Sequence, residues 1–128
     1  MILLLDTSTS LCKLSIIDAT STFESEWQAD RQLSRGLLAF IQAEMAKLSL
    51  ELHDCEGIGV FKGPGSFTGL RIGLTVANTL ADGLSIPIVG EASTDWQTTA
   101  LNRLRNGEND AIVLPDYGGD AHITKPRK

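Results

Sequence analysis

The sequence predicts a single α/β lobe in which three meandering strands lead into alternating helices and strands. Three observations predict it. An apolar run at residues 2–5 is followed by two segments of alternating polarity, at 12–16 and 22–28. Two further apolar runs, 55–61 and 86–89, are interleaved with long segments whose apolar residues recur every three to four positions. The resulting order, β-β-β-α-β-α-β-α, is that of an α/β sheet. The chain has 128 residues, which points to one domain with room for a real core.

Residues 2–5 are continuously apolar, as suits a strand buried on both faces. Cys12, Leu14 and Ile16 then alternate with Lys13 and Ser15. In 22–28, Phe23, Ser25 and Trp27 share one face while Glu24 and Glu26 share the other. With the polar stretch 18–21 between them, these two segments read as a hairpin. Asp30 is placed to cap a helix. From 31 to 48, Leu33, Leu37, Ile41, Met45 and Leu48 fall at helical spacing, and the adjoining face carries the small residues Gly36, Ala39, Ala43 and Ala46. Small residues there would let a second helix come close.

Residues 55–61 form the fourth strand. Ser66 or Thr68 caps the helix over 70–84. Residues 86–89 are the fifth strand, 93–105 a third helix ended by Asn106-Gly107, and 111–114 one more short strand. Residues 115–128 hold two glycines and two prolines with little apolar bulk and read as an extended tail. The chain thus divides into a lobe over 1–109 and a terminal strand with tail over 110–128.

A formal net charge of −5 and 5% aromatics argue against a large nucleic-acid footprint, the exception being Lys125, Arg127 and Lys128 in the tail. Residues 1–5 run straight into Asp6 and are not expected to form a secretory signal, and no apolar run approaches a membrane span. Cys12 and Cys55 lack metal-type spacing. They read as free thiols in a reducing cytoplasm.

Residues 63–73 read G-P-G-S-F-T-G-L-R-I-G, a glycine turn between a strand and a helix. Such a turn either binds an anion at the helix N-terminus or brings another backbone very close. A P-loop needs Gly-Lys-Ser/Thr at its end; here Leu70 follows Gly69. The dinucleotide fingerprint G-x-G-x-x-G fails because Gly69 falls one residue too far. Close packing is left as the reading. At about 100° per residue, Gly69, Ile72, Gly73, Val76, Ala77, Leu80 and their apolar neighbours share an arc of roughly 200°. A helix this apolar needs cover on two sides: its own sheet on one, and either the first helix or a partner protein on the other.

Three stretches resemble the TsaB (YeaZ) family of tRNA threonylcarbamoyladenosine biosynthesis proteins: L-L-D-T-S at 4–8, D-R-Q-L-S at 30–34, and above all the glycine run at 63–73. The resemblance extends over about residues 1–93. It implies one lobe of the actin-like/Hsp70-like ATPase (ribonuclease H-like) superfold, which opens on a three-stranded meander. It also implies a non-catalytic subunit that binds and activates a TsaD-type transferase through its two long helices. By the same resemblance Gly36, Ala39, Ala43, Gly69, Ile72, Gly73, Val76, Ala77 and Leu80 would be the partner-binding set. A TsaE-type ATPase would join the assembly, tRNA would be met through it, and a homodimer would use the same helices. ATP and magnesium are implied for the complex, with no cofactor bound by this chain alone.

Two departures from the family pattern bear on function. Family members carry a second α/β lobe, for which these residues leave no room, and Pro-Asp-Tyr at 115–117 resembles the segment that follows that lobe. Without it no interlobe nucleotide cleft is expected within one chain. The superfold also places an early acidic residue near metal and nucleotide, often as Asp-x-Gly-Thr; here Asp6 lacks the glycine and reads as a turn carboxylate, with magnesium ligation as the alternative. The enzyme alternative, an ATP-binding or glycoprotease-like lobe, finds little: His53 and His122 do not make a paired-His zinc motif, and Ser66 is not in a G-x-S-x-G elbow.

Overall fold

In the computed structural model, which describes residues 1–117, five strands form one sheet in the order β3-β2-β1-β4-β5. β1 (Ile2–Asp6), β2 (Leu11–Ile17) and β3 (Thr22–Gln28) are the antiparallel meander. β4 (Gly57–Phe61) and β5 (Ile88–Glu91) add parallel to β1. Parallel neighbours need crossover connections, and α1 (Leu33–Ala46) and α2 (Phe67–Leu84) supply them. α3 (Trp96–Arg105) follows β5.

The alternation of side chains along each strand sorts the core into two layers. Leu3 and Leu5 of β1 pack with Leu37, Ile41 and Met45 of α1 and with Leu74, Ala77 and Ala81 of α2. Leu4, pointing the other way, packs with Val89 and with Trp96, Ala100 and Leu104 of α3. The continuous apolar run of β1 is therefore buried on both faces, as its sequence predicts.

The element order matches expectation, but β5 stands at Ile88–Glu91 rather than 86–89, and there are four further local corrections. α2 begins at Phe67 rather than Leu70, because the Ser66 side chain caps it by accepting the Gly69 N–H at 3.1 Å. Asp30 does not cap α1. It sits at φ +48 in a short 3₁₀ turn (Asp30–Gln32), and α1 starts after Gln32 without a side-chain cap. In that left-handed conformation the Asp30 carboxylate instead accepts from Gln28 Nε2 at 2.8 Å. α3 begins at Trp96 rather than residue 93.

The fourth correction concerns residues 111–114, which form no strand. Their backbone is bonded by side chains instead of a ladder: the Asn78 amide donates to the Val113 carbonyl and accepts the Val113 N–H, both at 2.9 Å. Val113 is buried in the larger core. Residues 118–128, with the tail lysines and arginine, lie outside the described residues.

A carboxylate and two thiols are buried where the sequence gives little warning. Glu44 on the inner side of α1 is 6% exposed, accepts from Ser25 Oγ at 2.6 Å and pairs with Lys47 at 2.9 Å. The Ser25 hydrogen bond, with Lys47 beside it, holds its carboxyl below the usual glutamate range. Cys12 and Cys55 are free and buried. Burial, with the Asp6 charge adding to it, pushes the Cys12 thiol up to about 12; burial also raises Cys55.

Candidate functional site

The glycine run is built to receive the end of β1. Gly69 and Gly73 lie one helical turn apart on the face of α2 that meets Thr7, and a Cβ at either would collide with Thr7 atoms. Thr7 itself is 3% exposed, and its hydroxyl donates to the Gly69 carbonyl at 2.7 Å. Ahead of the helix, Gly65 abuts Ser8, whose Cβ a Gly65 side chain would meet at 2.5 Å. Gly63 stands at φ +125, and a side chain there would strike the Asp116 backbone. The Gly63–Pro64 peptide is cis. Three of the four glycines thus make room for β1 and one for the terminal segment, which is the close-approach use of glycine.

The same packing occupies donors that an anion would need. The Ser66 N–H donates to the Ser8 carbonyl at 2.8 Å and the Gly69 N–H to Ser66 Oγ. Asp6 is likewise engaged, its Oδ1 accepting the Ser8 N–H at 2.8 Å. That is the turn-carboxylate geometry. Among the described residues no three His, Cys, Asp or Glu side chains converge as metal ligands.

The expected partner-binding set divides three ways. Gly73 and Ala77 are buried and face the chain's own sheet, while Gly69 is packed on Thr7 but only half-buried. Gly36 is also spoken for: a Cβ there would come within 2.6 Å of the Trp27 ring, whose stacking on Phe40 (5.3 Å between centroids) closes the β3 side of α1. Ala39 and Ala43 are exposed on α1. Ile72, Val76 and Leu80 are half-buried, resting on the core with one edge open.

Ile72 and Val76 line the feature that remains, a groove of ≈ 360 Å³ between α1 and α2 with Ser34, Thr68, Arg71 and Thr75. A smaller pocket of ≈ 130 Å³, sharing Thr68 and Ile72, leads on to Thr9 and Ser10 in the turn between β1 and β2. Arg71 lies over the Phe67 ring at 5.3 Å, a cation–π contact, while Phe67 stacks on Tyr117 at 4.6 Å. Leu38 on α1 and Phe67 on α2 are 42% and 56% exposed. The lining offers hydroxyls, one guanidinium and apolar surface, a composition suited to protein contact. Among the described residues the groove itself is lined by no carboxylate or imidazole that could serve as a general base, though Asp30 lines the adjoining pocket.

Sequence reasoning missed Thr7 and Asn78. Both act through one polar side chain inserted between elements, and no periodicity announces such a residue. Thr7 alone had a trace, because the three small gaps at Gly65, Gly69 and Gly73 imply something that fills them.

Comparison with known proteins gives a consistent neighbourhood. Residues 27–116 match the family model described as TsaD: tRNA N6-adenosine threonylcarbamoyltransferase. The chain is 30% identical over 113 residues to the tRNA threonylcarbamoyladenosine biosynthesis protein TsaB of Haemophilus influenzae, covering 88% of this chain and 48% of that protein. It is 30% identical over 115 residues to TsaB of Escherichia coli, covering 90% and 49%. Among solved structures, YeaZ from Pseudomonas aeruginosa superposes with a TM-score of 0.69 at 25% identity, over 82% of this chain and 49% of that one. The chain therefore spans about half the length of the curated relatives it matches.

Proposed function

This chain belongs to the TsaB (YeaZ) family, and on that premise we propose that it serves tRNA N6-threonylcarbamoyladenosine biosynthesis as a partner-binding subunit rather than as the catalyst. The observation that carries this reading is the open apolar groove between α1 and α2, lined by Ile72 and Val76. Its partner is a TsaD-type transferase, which lays a helical surface against the two helices. The contact acts by favouring the transferase's active conformation, and it can do so only to the extent that it binds that conformation better. A TsaE-type ATPase and tRNA are met through the assembled complex in the cytoplasm. ATP and magnesium belong to that complex, not to this chain. Asp6, held by the Ser8 N–H, is left the role of shaping the β1 turn.

A second copy of this chain is the competing occupant, since a self-complementary dimer would use the same groove. The competing class is an ATP-binding or glycoprotease-like enzyme, which the groove's lack of a base does not favour. Co-expression with a TsaD-type transferase and mass measurement of the purified species separates these readings. The proposed function yields a mixed complex. A homodimer that excludes the transferase, or ATP turnover by the isolated chain, would overturn it.

A further inference from the structure

β5 is an edge strand of the sheet, and edge strands carry unpaired backbone groups that must be covered. Residues 109–117 cover this one without becoming a strand. Asn109 Oδ1 accepts the Ile88 N–H at 3.0 Å, Asp110 Oδ2 accepts the Gly90 N–H at 2.9 Å, and the Asp110 N–H donates to the Ile88 carbonyl at 2.8 Å. Arg103 of α3 bonds both the Gly90 carbonyl (3.2 Å) and Asp110.

The same segment then crosses to α2. Asn78 holds the Val113 backbone through two bonds, and the Val113 side chain fills the space beside Gly90. At the far end the Asp116 N–H donates to the Lys62 carbonyl at 2.7 Å, and Tyr117 stacks on Phe67.

Little apolar burial supports this path. Val113 is its one buried side chain, while Ile112 and Leu114 are 65% and 72% exposed. Ala111 sits at φ +68, a left-handed conformation that disfavours an L-residue. The bonds that hold it to Asn78 and β5 are only half-buried, and segments with few buried apolar contacts open at free energies well below that of global unfolding.

We propose that residues 109–117 are a strap that undocks from the lobe as one cooperative unit, latched by Asn78, while the sheet and the helices stay folded. Undocking bares the backbone groups of Ile88 and Gly90 and lifts Tyr117 off Phe67. The sheet edge and the first turn of α2 therefore change state together. This holds whatever the groove binds.

Amide hydrogen exchange on the full chain tests it, comparing wild type with Asn78→Ala and Asp110→Ala. The Asp116 amide is the critical probe, because its acceptor on Lys62 is untouched by either substitution. A cooperative strap predicts that each variant speeds exchange at Asp116 by roughly tenfold or more, with Leu3, Leu5, Ile58 and Val60 unchanged. If Asp110→Ala speeds only the amides next to it, the strap is not one unit and the proposal fails. If the core amides accelerate equally, there is no separate unit and it fails as well. Should Asn78→Ala not fold, Asp110→Ala alone decides.

Discussion

The side chain of Thr7 occupies the space in which any side chain at Gly73 would have to lie. One strand end and one helix face are fitted together with no room for a methyl group, and the Thr7 hydroxyl fixes the fit by bonding the Gly69 carbonyl. Gly73→Ala is therefore a packing substitution inside the lobe. It should cost about 1–3 kcal/mol, the range for overpacking a well-filled site, read as a lowered urea midpoint. Thr7→Ala should relieve part of that cost. In a double-mutant cycle the two changes should couple by roughly 1 kcal/mol; additive behaviour would mean that Thr7 and Gly73 do not share the space.

Glu44 makes a pH-dependent contribution of definite sign. Its carboxyl is held low by Ser25 and Lys47, so the stability it adds is full above the unfolded glutamate value, near 4.3, and is lost as pH falls through its lower folded value. Denaturation midpoints taken from pH 6 to pH 3 should fall more steeply in wild type than in Glu44→Gln. Above pH 5, Ser25→Ala should cost about 1–3 kcal/mol, since it leaves a buried charged acceptor short of a donor. Parallel pH profiles for wild type and Glu44→Gln would rule out this role.

Both cysteines should be inert in the folded protein. With the Cys12 thiol near 12, only about one molecule in ten thousand carries its thiolate at pH 8, and the thiolate is the reactive form. A thiol reagent at pH 8 should modify neither residue until denaturant is added. Fast labelling of native protein would contradict the burial of Cys12 at 0% and Cys55 at 4% exposure.

Much of this fold is legible in the sequence because its strands and helices announce themselves by period. The apolar run at 2–5 and the alternation at 22–28 each place a strand where one stands. The glycine spacing at 63–73 excludes a P-loop and predicts close packing, and the structure supplies Thr7 and Ser8 as what packs there. What the sequence could not resolve is which side of α2 the small residues face. Gly73 and Ala77 sit on a broad apolar arc, and only the position of β1 shows that they turn inward while Ile72 and Val76 line the groove. The 111–114 run misleads for a related reason: a short apolar run looks the same whether its backbone is bonded by a strand or by the Asn78 side chain.

The central claim is that the α1–α2 groove is a partner surface. Titration of a TsaD-type transferase into this chain, wild type against Val76→Glu, tests it most directly, with thermal unfolding as the control for folding. Val76 is half-buried at the groove wall, and a carboxylate there leaves an unpaired charge at a contact that must exclude water, a loss of about 2 kcal/mol or more in affinity. Wild type should bind saturably and Val76→Glu at least about 30-fold more weakly, with the unfolding midpoint little changed. Equal affinity for the two proteins would contradict the claim.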